Sequence, residues 1–549
     1  MNVQETVSSE TAAYTYQPAA WRRYPVHEVV FAWFLLFCSF FFCRFFPVYT
    51  KPIGGFILSI VSFASCYIML IIKKKKPCRA SVAVSVSAVI LSLSLFLTSN
   101  QFLQLFTFGY VCASICYFLY AAFGNPFSRG LSDMTLIDYF KAVFIMPVLG
   151  MGDFFRAAFS GRSAKGGKVV LKIAIGVLIA FIPTAAVMIL LSYDQGFSSI
   201  MSDIYSAVLP DTVPELVSWI LSAIFAFPVA VYLFGIFISS SDDRGRNVIT
   251  REECSNGWKA VKKVPVSTSV ASVVPMLIIY VIFFISQWDY YVSAFRGVLP
   301  EGTVYSEYAR EGFFQLCAVS VINLLVILFI SVFMKREGKG SSAALKTVSV
   351  VYSLTTLVLI ATAFSKMMMY IRVYGLTPKR AYVSCFEIFL ALAFIFIILK
   401  QIFRKINAAA LSAAALVLLF GALSVCDLDA VIARYNVDRF LEGSLDKVDV
   451  SLLDSLGDSG IPEEVRLFRV LAWKENSADG LNEKESDALN DLRSDIRVKL
   501  YKRPYLIENN DPDDSWLKYT VPRIRAVRSV RGILSDTEMR EKLYPESDS

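Results

Sequence analysis

The sequence predicts an all-α, polytopic helical membrane protein of about eleven spans, with a small helical C-terminal soluble domain. Of its 549 residues, 56% are hydrophobic and 18% are charged, whereas a soluble globular chain has about 45–50% apolar and about 25% charged residues. The apolar residues also form continuous blocks of about 20, the length that crosses a bilayer as a helix. Because these blocks do not alternate with polar residues, they favour helices over a β-barrel.

The transmembrane domain is expected to occupy residues 28–425. Its eleven predicted spans cover residues 28–48, 53–72, 81–99, 102–123, 169–192, 214–238, 267–287, 313–334, 347–365, 381–400 and 407–425. Residues 1–27 are expected to be a disordered cytoplasmic N-terminus, because the segment begins with a polar stretch rich in Ser, Thr, Ala and Gln. Residues 427–549, which we call the tail, are expected to form an extracytoplasmic helical domain, since about 120 residues can enclose a small core.

One further apolar segment has the pattern of a surface helix. Residues 136–159 carry Asp138, Lys141, Asp153 and Arg156 among Phe, Ile and Met side chains. Such a mixture is typical of an amphipathic helix that lies on the membrane. We therefore predict a cytoplasmic interfacial helix here, with a buried half-span as the alternative.

The distribution of Lys and Arg among the loops predicts the orientation. Residues 73–76 are four consecutive lysines, and basic loops favour the cytoplasmic side. Eleven spans then place the N-terminus inside and the tail outside a bacterial plasma membrane. One connection breaks the pattern, because Lys366, Arg372, Lys379 and Arg380 fall on the outer side. Either the span count fails there or local contacts hold these charges.

A polar group at the start of the span at residues 313–334 is the first candidate site. Glu307, Arg310 and Glu311 share one helix face, because residues three and four apart are neighbours, and Gln315 extends that face by one turn. Charges at the edge of a spanning helix are costly unless they pair or face water. The group could contact a solute or carry a proton; the alternative is a structural network that fixes the helix end.

A second group follows in the next two spans. Arg372 and Lys366 could bind an anionic headgroup, phosphate or carboxylate, and Glu387 lies inside an apolar span. An intramembrane carboxylate is a functional hypothesis, with Lys366, Arg372 or Arg310 as the nearest expected partners; a structural ion pair is the alternative. We also predict that residues 307–311 meet residues 366–380 in space.

Several kinds of chemistry have little support in the sequence. His27 is the only histidine, which excludes multi-histidine metal sites. Nearly all ten cysteines lie in apolar blocks, so a disulfide scaffold is not expected. We predict no catalytic, cofactor-binding or metal-binding residues and no cofactor. The net charge of +8 arises in membrane loops, so no nucleic-acid partner is expected.

Three motifs carry a resemblance to a known family. They are SEYAREGF at residues 306–313, YIRVYGLTP at residues 370–378 and IARYN at residues 432–436. Together they resemble the bacterial multi-pass membrane family classed as domain of unknown function 4173, over about residues 270–460. The resemblance implies an integral membrane protein of bacterial type with no assigned activity or catalytic residues.

Three classes of function remain open. The first is transport or handling of an anionic or lipid-like solute at the outer face, with membrane lipids and such a solute as partners. The second is a non-catalytic envelope or sensory protein whose tail binds a protein partner. The third is a membrane enzyme on a lipid-linked substrate with Glu307 or Glu311 as base. It has the least support, because no nucleophile, phosphate-loop or metal motif accompanies it.

Overall fold

The predicted fold class is confirmed by the structure, a computed structural model of the chain. It describes residues 24–45, 52–127, 134–158, 214–242, 250–262, 264–286, 313–334, 338–403, 405–475, 483–501 and 520–543, with a few isolated positions. Within these ranges every regular element is a helix, apart from one isolated bridge between Val264 and Met334.

The helices form three consecutive groups. The first contains α1 (Val26–Phe45), α2 (Pro52–Ile72), α3 (Arg79–Ser92), α4 (Ser94–Leu97), α5 (Gln101–Ala122), α6 (Thr135–Phe140), a π-helical turn (Lys141–Ile145), α7 (Met146–Ala158) and α8 (Pro214–Ser241). The second contains α9 (Arg251–Val261), α10 (Val266–Ser286), α11 (Phe313–Phe333), α12 (Gly338–Tyr374), α13 (Pro378–Ile402) and α14 (Ala408–Val425). The tail contains α15 (Leu428–Leu441), α16 (Val450–Ser455), a 3₁₀ turn (Gly457–Ser459), α17 (Ile461–Glu475), α18 (Glu483–Tyr501), α19 (Val521–Leu534) and α20 (Thr537–Leu543).

Eleven segments of the described ranges are long and apolar enough to cross a membrane. Ten of them overlap predicted spans, and the eleventh is Thr135–Ala158. The remaining predicted span, residues 169–192, lies outside the described residues.

The lysines at residues 73–76 lie at one end of the first group of helices, and we call this end the basic end. Glu28 at the start of α1 pairs with Lys73 at the end of α2. The Lys73 ammonium also lies 5.9 Å from the ring centre of Phe237 in the last turns of α8. Asn125, just after α5, donates to the Ser240 carbonyl of α8 at 2.9 Å. The start of α1 and the ends of α2, α5 and α8 therefore lie together.

The segment Thr135–Ala158 lies across this basic end. Near its start, Asp138 accepts from the Phe127 N–H in the loop after α5, at 3.2 Å. Near its end, Asp153 accepts from the Tyr24 hydroxyl just before α1. A spanning helix of this length, about 36 Å at 1.5 Å per residue, would have its ends on opposite sides. These contacts place both ends of the segment on one side of the bundle. The interfacial helix stays a prediction, with the buried half-span as its alternative, and the segment is apolar enough to span.

A close backbone contact holds α7 against α8. A Cβ atom added to Gly150 would lie 2.1 Å from the Gly235 carbonyl oxygen, and one added to Gly235 would lie 2.4 Å from the Pro147 carbonyl oxygen. Only glycine leaves room for this approach. The segment Thr135–Ala158 is thereby packed directly on α8.

The tail lies at the opposite end of the bundle. Helices α3 and α4 run from the basic end to the turn at residues 98–100, and this turn contacts the tail. Asn100 donates to both carboxylate oxygens of Asp429, at 3.0 and 2.9 Å, and the Ser99 hydroxyl lies 2.8 Å from that of Ser459. Leu103 of α5 is also buried in the tail's apolar core. We call this side of the bundle the tail end.

Candidate functional site

The antiparallel hairpin of α12 and α13 contains three of the predicted site residues. Lys366 precedes the end of α12 at Tyr374 by eight residues, and Glu387 follows the start of α13 at Pro378 by nine. At 1.5 Å per residue both lie about 12–14 Å from the hairpin turn, at the same depth. Both are buried, with exposed fractions of 8% and 1%.

The carboxyl group of Glu387 is the unusual feature of this hairpin. Neither of its oxygens has a hydrogen-bond partner among the described residues, and the same holds for the hydroxyl of Ser384, one turn earlier. Cys317 of α11 lies close enough to Glu387 to interact electrostatically. The expected pairing of Glu387 with Lys366 or Arg372 is therefore wrong in this structure, because neither carboxylate oxygen lies within hydrogen-bonding distance of a basic side chain of the described residues. Arg310 lies outside the described residues.

The remaining predicted site residues are either exposed away from Glu387 or outside the described residues. Gln315 is exposed on α11, and Arg372 is exposed in the last turn of α12. Glu307, Arg310 and Glu311 fall outside the described residues. The predicted meeting of residues 307–311 with residues 366–380 therefore stays a prediction.

The hairpin turn is clamped by the tail. Asn436 of α15 accepts from the Leu376 N–H at 2.7 Å and donates to the Leu376 carbonyl at 2.8 Å. Gly375 has a φ of +75°, and a Cβ there would lie 2.6 Å from the Asn436 side-chain oxygen. Glycine is thus required by both backbone conformation and space. The motifs at residues 370–378 and 432–436 are the two sides of this contact.

Two arginines bind the carbonyl end of α12. Arg380 donates to the carbonyls of Tyr374, at 2.9 Å, and Gly375, and its guanidinium lies 4.1 Å from the ring centre of Tyr370. Arg439 of the tail donates to the Arg372 carbonyl at 2.6 Å. The last carbonyls of a helix have no intrahelical partners, and cations are favourable there. Local contacts therefore hold Arg380 at a connection that breaks the loop-charge pattern.

A pair of buried aspartates completes what we call the tail joint, the contact of α15 with the hairpin turn and with residues 98–100. Asp427, at a φ of +48°, accepts from the Ser459 hydroxyl at 2.8 Å and lies 3.9 Å from the Arg525 guanidinium. Burial raises the pKa of Asp427. Burial, opposed by the Asn100 hydrogen bonds and reinforced by Asp427, raises the pKa of Asp429 to about 6.

A second buried polar cluster lies between α10, α11 and α12. The side-chain oxygen of Asn323 accepts from Tyr280 at 2.6 Å and Tyr352 at 2.7 Å, and its amide donates to Thr356 at 2.9 Å. These bonds join three helices as interhelical hydrogen bonds do in membranes. Among the residues that the structure describes, no three His, Cys, Asp or Glu side chains come together as a metal site.

Sequence reasoning missed the roles of Asn436, Arg439, Asp427 and Asp429. The motif at residues 432–436 includes Asn436 and so singled out this residue, but it did not indicate which residues Asn436 contacts. The two aspartates directly follow the last span and so have the sequence context of loop residues. Only the docked tail makes them buried.

One comparison with known proteins gives a match. The model of a family described as Domain of unknown function (DUF4153) matches residues 85–467, well over half of the chain. The matched part extends from α3 into α17 and includes the hairpin and most of the tail joint. No curated protein and no solved structure matches. The resemblance to domain of unknown function 4173 is not confirmed; membership of a family of unknown function is. The many apolar helices and this match indicate an integral, multi-pass membrane protein, and the chain belongs to the DUF4153 family.

Proposed function

We propose that the protein transports or handles an anionic or lipid-like solute at the tail end of its membrane bundle, and that the α12–α13 hairpin binds the solute. The observation that carries the proposal is the carboxyl group of Glu387, which is 1% exposed and has no hydrogen-bond partner among the described residues. Ionisable groups inside a membrane are costly, and they commonly mark solute and proton pathways.

The proposal gives each residue of the hairpin a role. Arg372, exposed at the mouth of the hairpin, is the first contact for the anionic group. Lys366, buried at the depth of Glu387, supplies a positive charge along the path. Glu387 accepts a proton or a cation that accompanies the solute. Transport requires such binding groups and no nucleophile or cofactor.

We also propose that the tail end faces the outside of the cell membrane and the basic end faces the cytoplasm. The support is the position of residues 73–76, which lie one bundle length from the tail, combined with the preference of basic loops for the cytoplasm. A cysteine at Ser451, which is exposed on the tail, should then react with an impermeant thiol reagent on intact cells. The test uses a cysteine-free background, because Cys426 is also exposed. Labelling only after lysis would reverse the orientation.

The solute-handling proposal is tested with proteoliposomes that contain fluorescent phosphatidylglycerol and with native mass spectrometry of retained anionic lipid. Glu387→Gln and Arg372→Ala should reduce both lipid movement and lipid retention, because each removes a binding group. Lys379→Ala is the matched control, since Lys379 is an exposed neighbour in the first turn of α13. Glu307→Gln tests whether residues 307–311 contribute.

The outcomes separate the remaining classes of function. If the variants fold and behave as the wild type, the hairpin is not the site, and a tail that binds a protein partner becomes the leading function. If both variants are lost from the membrane, these residues have a structural role. If Lys379→Ala reduces lipid movement and retention as much as Arg372→Ala does, the effect comes from the overall positive charge of this region and not from a specific site.

A further inference from the structure

The tail contains a cleft that is separate from the hairpin. It lies between α17 and α19 and has a volume of about 370 Å³. Ligand-binding clefts commonly enclose about 300–1,000 Å³, so this volume accommodates a small polar group. Three arginines line the cleft, Arg466, Arg469 and Arg528, together with the hydroxyl-bearing Ser529.

Two of these arginines have no counter-charge. Arg466 is paired with Asp438 and, at 3.0 Å, with Glu463. Within the described ranges, neither Arg469 nor Arg528 has a hydrogen bond or ion pair with a side chain, and the Arg469 Nε is buried without any partner. A buried donor without an acceptor is unfavourable. The cleft therefore holds one buried guanidinium donor without an acceptor, in Arg469, and beside it the exposed positive charge of Arg528, and an anion would pair with both.

The backbone of α19 leaves room for the Arg469 guanidinium. Gly532 occupies the last turn of α19, where a Cβ would lie 3.4 Å from an Arg469 terminal nitrogen. Glycine is among the weakest helix formers, so its use inside a helix calls for a packing reason. Here it leaves room for a terminal nitrogen of the Arg469 guanidinium to lie close to the α19 backbone.

The cleft begins close to the membrane end of the tail. Pro462, at one edge of the cleft, follows Ser459 by three residues, and Ser459 contacts Ser99 at the tail end of the bundle. Arg525, one turn before Arg528, faces Asp427 directly after the last membrane helix. An anionic group in the cleft could therefore come from a lipid headgroup or from solution.

We infer that this cleft binds a phosphate group, carried by an anionic lipid headgroup or free in solution. Arginine suits this ligand because its fork of N–H donors matches two phosphate oxygens. The Ser529 hydroxyl supplies a further donor. This site goes beyond the hairpin proposal and shares no residue with it.

The first arm of the test titrates inorganic phosphate into the full-length protein in a neutral detergent, by isothermal calorimetry. The second arm reconstitutes the protein in nanodiscs of phosphatidylcholine with or without phosphatidylglycerol and counts retained lipids by native mass spectrometry. Arg469→Gln and Arg528→Gln should each weaken binding by about tenfold or more, as expected for a lost charge-assisted hydrogen bond. Arg540→Gln is the matched control, because Arg540 is exposed on the tail and does not line the cleft.

Either arm can support the inference, and the pair identifies the source of the phosphate. Direct phosphate binding that the two variants lose indicates a soluble ligand; retention of phosphatidylglycerol alone, lost in the variants, indicates a lipid headgroup. The inference is overturned if neither probe binds, if both variants bind like the wild type, or if Arg540→Gln is equally impaired. Arg528 is exposed, so its variant keeps the test valid if Arg469→Gln unfolds.

Discussion

The tail joint and the interior of the α12–α13 hairpin both bury polar groups, but they treat them in opposite ways. In the joint, Asn436 makes two hydrogen bonds to the hairpin turn, and Asp429 accepts two from Asn100. About 12–14 Å deeper along the hairpin, Glu387 has no hydrogen-bond partner among the described residues. The polar groups of the joint are thus mostly paired, although Asp427 Oδ2 has no hydrogen bond among the described residues and lies 3.9 Å from Arg525. The hairpin interior retains a carboxyl group of which neither oxygen is hydrogen-bonded in the described ranges.

This difference indicates that the joint stabilises the fold, whereas the hairpin interior has a role in function that costs stability. Buried polar groups with partners hold a structure together, whereas a buried charge without a partner lowers stability. Proteins tolerate such a cost mainly where activity requires it. We therefore expect that removing a hydrogen-bonding side chain from the joint lowers the free energy of unfolding, and that replacing Glu387 in the hairpin interior raises it. Asp429 is the exception within the joint, because burial of its own charge is unfavourable.

The largest effect is expected from Asp429→Asn, and it should depend on pH. The pKa of Asp429 is raised in the folded protein from 3.8 to about 6, so the folded state binds the proton more tightly than the unfolded state. Stability therefore falls as the pH rises from about 4 to about 6. A shift of about two pKa units corresponds to at most about 3 kcal/mol. The Asp429→Asn variant should have a free energy of unfolding higher than that of the wild type by up to this amount above pH 6, and equal to it below pH 4.

Pulse proteolysis of the tail in urea, at pH values of about 4, 6 and 8, measures this gain. Asp446→Asn is the control, because Asp446 is exposed on the tail. A variant that loses stability at high pH would show that the Asn100 hydrogen bonds need the carboxylate charge. The interaction of Asn100 with the charged Asp429 would then stabilise the joint despite the burial of the charge.

The next largest effect is expected from Asn436→Ala. The substitution leaves the Leu376 N–H and carbonyl without their partners at a site where Asn436 is 4% exposed. The free energy of unfolding should fall by about 2 kcal/mol, measured by the same proteolysis assay at neutral pH. Asn490→Ala, in an exposed position of α18, should change little. Equal stability of wild type and Asn436→Ala would contradict a clamping role for the joint.

The smallest effect, with the opposite sign, is expected from Glu387→Met. Methionine has a similar volume and carries no charge, so the thermal stability in detergent should rise by about 1 kcal/mol. Asn323→Leu is the contrasting variant, because it removes three satisfied hydrogen bonds between α10, α11 and α12 and should lower stability. If both variants are destabilising to the same extent, Glu387 has a structural partner and the comparison fails.

The positions of the helices could be predicted well because each span is encoded locally. Ten of the predicted spans overlap apolar helices of the described part, since about 20 consecutive apolar residues suffice to define a span. Charges among the apolar residues predicted a surface helix at residues 136–159. The contacts of Asp138 and Asp153 place both ends of this segment on one side of the bundle, and its location on the membrane surface stays a prediction. Local chemistry was enough for the spans.

The partners of the candidate residues could not be predicted, because they depend on how helices are rotated and shifted against one another. The sequence singled out Lys366 and Glu387 and suggested that Glu387 pairs with a base. The hairpin places the two at one depth, yet the carboxyl group remains without a hydrogen bond in the described ranges. A shift of one residue changes the helix face by about 100°, and no local pattern fixes this choice.

The sequence by itself determined an all-α membrane protein with a helical tail and a cluster of charged candidates. Composition and hydrophobic run length act within each segment and so can be read from the chain alone. The tertiary structure decided that the tail packs against residues 98–100, that Asn436 and Arg439 hold the hairpin, and that Arg469 and Arg528 line one cleft. Those contacts join residues far apart in the chain, and they exist only when the helices pack.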